Sequence, residues 1–240
     1  MSFHRSIPAS LGYAGTITIV VLLTIFFVMQ SYSLTGSPAS SGHPPFLDNR
    51  LPGNISSDSL WFNAKLSKGK FLVASRRLLA PFFKETVILL LKYDHGGAMG
   101  LIINKPTEVK LSAVFPEING LQKRADTVFL GGPVARNQML MLIQSGNMPD
   151  ESSNVFHNIY VSSSMAALKR MAGDSKKGDE FRLYNGYSGW ALGQLELEIS
   201  RGDWHIINAD AESIFKKDPS AIWPDLLLRS SEIQVRFFEK

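Results

Sequence analysis

The chain has 240 residues, 45% hydrophobic and 19% charged, enough for one sizeable core plus appendages. It contains no cysteine, which excludes disulfides, thiolate nucleophiles and cysteine-based metal sites. The net charge of +4 comes with basic residues scattered as pairs (Arg76-Arg77, Lys123-Arg124, Lys169-Arg170, Lys176-Lys177, Lys216-Lys217), a pattern of solvated surface rather than of a nucleic-acid-binding stripe.

A short N-terminal segment, residues 1–10, precedes a run from Leu11 to Met29 without a single charge. As a helix that run would rise about 28 Å, close to the hydrocarbon thickness of a bilayer. It reads as a transmembrane anchor, or alternatively as a signal segment cleaved near Ser31-Tyr32-Ser33. His4 and Arg5 precede it and no Lys or Arg follows before Arg50, so a single-pass membrane protein with its C-terminal domain outside the cytoplasm is expected. The alternatives are a domain on the cytosolic face or one exported after cleavage. Residues 30–58 turn to Ser, Gly, Pro and Asn without an apolar period, which predicts a flexible linker. Residues 59–240 hold the globular part.

Within it, strand-length apolar runs recur at 71–74, 86–91, 99–103, 127–130, 139–143, 156–161, 181–184 and 204–208, each bounded by Gly, Asn, Asp or Pro. Several are apolar on both faces, so strands covered on both sides are expected. Leu111, Val114, Phe115 and Ile118 have helical spacing that Pro116 should bend or end. Ser162–Ser164 can cap a helix with Met165, Leu168 and Ala172 on one face and Gly173 closing it. The pattern from Ala211 to Arg229 should break near Asp218-Pro219 and again at Pro224. Strands and helices mix without strict alternation, which predicts an α+β fold.

Familiar catalytic signatures are missing: there is no Gly-x-Gly-x-x-Gly, Walker loop, His-Glu-x-x-His or Gly-x-Ser-x-Gly. His95, His157 and His205 are widely spaced singles, read as structural or surface histidines. Catalytic residues, metal ligands and cofactors are therefore not assigned. Three segments stand out instead: Gly97-Ala-Met-Gly-Leu-Ile-Ile-Asn-Lys-Pro106, Phe129-Leu-Gly-Gly-Pro-Val134, and the glycine- and aromatic-rich stretch Tyr184 to Glu198. Asn104-Lys-Pro106 and Gly131-Gly-Pro133 read as turns that close strands. Around Gly186–Gly193 a strand gives way to an amphipathic segment, where free N–H groups could suit an anion or a partner's carboxylate.

In this order and spacing the three segments resemble the AlgH/YqgE family over roughly residues 60–228. The resemblance favours a helix after Gly193, implies a loose association with regulation of gene expression, and implies no particular reaction. The expected architecture is a mixed β-sheet, partly barrel-like and flanked by helices, in a single globular domain. The candidate binding surface comprises Asn104, Gly131, Gly132, Pro133, Tyr187, Gly189, Trp190, Gln194 and Glu196. The preferred reading is a non-catalytic interaction or regulatory domain held at a membrane, with an unknown protein partner and not nucleic acid. The alternative is an enzyme or sensor that binds a small anionic ligand at the Gly186–Glu196 turn.

Overall fold

The computed structural model describes residues 66–173 and 177–238. Ten strands form one sheet: β1 (Lys70–Ala74), β2 (Val87–Asp94), β3 (Gly97–Ile102), β4 (Pro106–Lys110), β5 (Thr127–Leu130), β6 (Val134–Gln144), β7 (Ser153–Phe156), β8 (Ile159–Ser162), β9 (Glu180–Trp190) and β10 (Trp204–Asn208). Its main order is β10-β1-β2-β3-β9-β6-β8-β7, with β4 on β5 and β5 parallel to β9. All other pairings are antiparallel, so the sheet is mixed. The fold is α+β, as expected: a curled, half-barrel sheet flanked by helices.

The curl follows from β9, which changes partner along its length. Its C-terminal end pairs with β3 (Ser188 opposite Gly100, Trp190 opposite Ala98), while Glu180–Asn185 pair with β6. Inner and outer faces are both buried, and alternation sorts the side chains between them. Phe71, Val73, Leu89, Leu101 and Ile103 point into the curl, where α4 (Ala211–Phe215) and α5 (Pro219–Phe238) supply Ile214, Ile222, Leu226 and Leu227. Leu72, Ala74, Ile88, Leu90 and Ile102 face the other way, under α3 (Gln194–Ser200). A third apolar cluster lies beneath α1 (Leu111–Val114) and α2 (Met165–Gly173).

Proline and serine chemistry set several boundaries. Helix α1 is one turn and stops before Pro116. Ser164 Oγ accepts from the Ala166 and Ala167 amides (3.1 and 3.3 Å) at the start of α2. The face of α2 differs from expectation: Ala167, Leu168 and Met171 are buried, whereas Met165 is exposed. Pro224 does not break α5; burial of Ile222, Leu226 and Leu227 around it offsets a cost of about 3 kcal/mol for an interior proline. The apolar run at 156–161 is also split, because His157 adopts a left-handed φ of 42° and the Asn154 side-chain amide donates to its carbonyl (2.8 Å). That turn separates β7 from β8.

The expected membrane span is corrected. Among the described residues no helix is long and apolar enough to cross a membrane. The longest, α5, carries Asp225 and Arg229 and buries Ile222, Leu226 and Leu227 in the core. The single-pass, membrane-held localisation is accordingly not retained. Residues 11–29, like the segments 1–10 and 30–58, lie outside the described residues.

Candidate functional site

The three singled-out segments meet through their backbones. Leu130 N donates to Lys105 O (2.8 Å), Ile102 N to Gly131 O (2.9 Å), and Gly131 N to Asn185 O (2.9 Å). Glycine is required where these chains cross. A Cβ on Gly132 would fall inside the backbone of Tyr187 and Ser188, and one on Gly131 would overlap the Gly186 carbonyl and sit 2.7 Å from Leu101 Cδ2. Gly186, at φ 69°, returns the relation: its Cβ would lie 2.6 Å from Gly132 O and 2.8 Å from Val134 O. Ser188, fully buried, donates its hydroxyl to Gly131 O (3.3 Å). Gly131, Gly132 and Tyr187 thus belong to a packed crossing of β3, β5, β6 and β9. Pro133 follows it half-buried, and Gly189 is exposed on β9 opposite Met99.

Asn104 works elsewhere. Its Oδ1 accepts from Val87 N (2.9 Å) and its Nδ2 donates to Glu85 O (2.9 Å). The left-handed residue here is Glu85, at φ 56°, and the Asn104 side chain holds it there. Beside this brace lies a cavity of about 530 Å³, bordered by Glu85, Asn104, Lys105, Pro106, Ser220 and Trp223 among others.

Trp190, Gln194 and Glu196 gather at a third place, around α3. Strand β9 runs to Trp190, so the turn is only Ala191–Gly193, with Gly193 at φ 77°. Leu195 and Ile199, four apart, bury one face of α3, while Leu192 lies ahead of the helix and is exposed. The residue that organises this end is Glu198. Its Oε2 accepts from Trp190 Nε1 (2.8 Å) and Trp204 Nε1 (2.9 Å), and its Oε1 from Gln194 Nε2 (3.0 Å). The two indoles meet edge-on, centroids 6.2 Å apart. Gln194 Oε1 accepts from Ala191 N (3.1 Å), and Tyr93 donates its hydroxyl to Glu196 Oε1 (2.6 Å). Glu198 ends the third of the segments that stand out in the sequence but is not part of the candidate binding surface. Its one visible signal is its position four residues after Gln194, on the same face of α3.

Chemically, this turn is poorly suited to an anion. The Ala191 amide is already engaged, Glu196 puts a carboxylate in the first turn, and α3 has only seven residues. Among the described residues no group of three acidic or histidine side chains could hold a metal. His205 is half-buried, and burial pushes its imidazole below the ordinary value.

Tyr93 is pushed up to about 12 by burial, and by the hydrogen bond and charge of Glu196. Its proton is held more tightly folded than unfolded, so its contribution to stability is complete below pH 10.0 and is lost as pH rises through about 12. Melting temperatures recorded across that window should fall, and Tyr93→Phe should flatten part of the slope. Identical slopes in both proteins would mean that the Tyr93–Glu196 bond is unimportant to folding.

The AlgH-like family model matches residues 71–234. The chain belongs to the AlgH-like family. AlgH-like relatives include a UPF0301 protein of Chlorobaculum tepidum, 33% identical over 66% of this chain and 83% of that protein. Another is a UPF0301 protein of Mycobacterium tuberculosis strain H37Rv, 31% identical over 69% and 83%. The solution structure of the AlgH protein from Pseudomonas aeruginosa is similar at TM-score 0.58 and 27% identity, covering 68% of this chain and 87% of that one. The crystal structure of DIP2367 from Corynebacterium diphtheriae shares the fold at TM-score 0.60 and 22% identity, covering 70% and 92%. The match spans all three segments of the crossing, so the interlocked glycines sit within the AlgH-like domain proper.

Proposed function

We propose that this AlgH-like domain is a non-catalytic recognition module that takes a protein partner on the turn between β9 and α3. The observation that carries this reading is the exposure of Leu192 (71%) and Leu197 (55%) on a segment whose backbone is tied down from beneath. Exposed single leucines are ordinary on protein surfaces. Here, however, Leu192 lies on the turn and Leu197 on the helix that follows it, and both are fixed by the Glu198, Gln194 and Glu196 hydrogen bonds, so little conformational entropy is lost when a partner covers them. Gln194, exposed between them in the chain, adds a polar group to this surface. A regulatory role fits such a module, since recognition without chemistry is all it requires.

Leu192→Asp and Leu197→Asp test the reading. Both side chains point to solvent, so each change should alter stability by less than about 0.5 kcal/mol. A partner captured by the wild-type chain should be lost by the double variant at unchanged melting temperature. Retention of the partner by the double variant would refute the assignment of this turn.

A further inference from the structure

A second surface, independent of the leucine-bearing turn, has the chemistry of a small-molecule site. The cavity beside Asn104 adjoins another of about 340 Å³, lined by Ser75, Arg76, Lys84, Glu85 and Trp223. Glu85 and Trp223 border both, so the two form one groove with the indole at its middle. Its size is in the range of small-ligand sites, about 300–1,000 Å³. Trp223 is pinned: its Nε1 donates to Ala74 O (2.8 Å), and the ring packs against both the inner and the outer core. The indole therefore stands as a fixed aromatic wall.

Charge around the groove is unbalanced in a specific way. Arg76, Lys84 and Lys105 border it, and none makes an ion pair among the described residues. Of the two acids present, Asp218 accepts from the Ser220 amide (2.8 Å) and hydroxyl (2.6 Å), which hold its carboxyl below the ordinary value. Asp218 is thus committed to the start of α5. Glu85 is exposed on the left-handed residue that Asn104 braces, a conformation unfavourable for a residue with a side chain and kept here by two side-chain bonds. The groove combines an aromatic wall, unspent cations on both sides of it, and one uncommitted carboxylate.

We propose that the groove between Lys105 and Arg76 binds a nucleotide-class ligand, its planar base on the Trp223 indole and its phosphate at the end where Arg76 and Lys84 lie, with Lys105 on the far side of the indole. Stacking rewards the ring, Arg76 and Lys84 reward the phosphate, Lys105 adds attraction for the anion from across the indole, and Glu85 accepts from ligand hydroxyl or amino groups. A ligand with only one of these parts leaves the other half of the groove unused.

Titration calorimetry of the full chain with AMP, GMP, adenosine and inorganic phosphate tests this. At least one of the two nucleotides should bind with Kd below about 1 mM, and about tenfold more tightly than adenosine or phosphate. Lys84→Glu and Lys105→Glu, both at exposed or half-exposed positions, should each weaken that binding several-fold while the melting temperature holds. Absence of heat with both nucleotides would overturn the proposal. So would equal affinity for inorganic phosphate, which would leave the indole without a role, or nucleotide binding indifferent to both charge reversals.

Discussion

Gly132→Ala is expected to abolish cooperative folding. A methyl group at that position would occupy the space of the Tyr187 carbonyl, and neither chain can retreat, because Gly131 and Gly186 close the same crossing from the other side. Backbone-on-backbone overlap of this kind has no flexible side chain to absorb it, so the cost should exceed about 4–5 kcal/mol, a large share of the stability of a domain this size. Gly189→Ala is the matched control. Its Cβ would meet the Tyr187 ring at 3.4 and 3.9 Å and Val134 Cγ2 at 3.9 Å, all ordinary contacts, and the variant should melt like wild type. Chemical denaturation followed by circular dichroism distinguishes the two. A Gly132→Ala protein with a wild-type midpoint would mean that the strands separate far more readily than their packing allows.

Removing the Glu198 side chain should have the next largest effect. Glu198→Ala leaves two indole N–H groups without their acceptor, on tryptophans that are both nearly inaccessible. Each stranded donor costs about 1–3 kcal/mol, so a loss of about 2–6 kcal/mol is expected. Near-ultraviolet circular dichroism should change with it, since the edge-on arrangement of Trp190 and Trp204 loses its common anchor. Glu198→Gln keeps one acceptor oxygen and should fall between. A destabilisation below about 1 kcal/mol for Glu198→Ala would indicate that solvent takes over from the carboxylate.

Much of the sheet could be read from the chain because its strands are apolar on both faces. Runs such as 71–74 and 127–130 admit few other interpretations, and they became β1 and β5 with little change in their limits. Strand β4 escaped notice because Pro106–Lys110 is mostly exposed and polar, held by pairing with β5 rather than by burial. The interruption at His157 depends on a left-handed backbone that no residue type there demands. The glycine segments were legible as special, yet their purpose was not: Gly131 and Gly132 looked like turn residues, and in the fold they are where two chains cross almost in contact. Glu198 was obscured for a different reason. An acidic residue on a short amphipathic helix normally faces water, and only the return of the chain at Trp204 turns it into a shared acceptor.

Strand β9 carries one more implication. Because its two ends belong to different halves of the curled sheet, neither half has a complete set of neighbours without it. The glycine crossing fastens β5 and β6 to the same stretch. The domain therefore has no seam along which it could open in parts, and Glu180–Trp190 acts as the keel to which every layer is fitted. Substitutions in the loops and on exposed helix faces should cost little, whereas those at the buried positions Phe181, Leu183, Tyr184, Gly186 and Ser188 of this strand disturb both halves of the sheet at once.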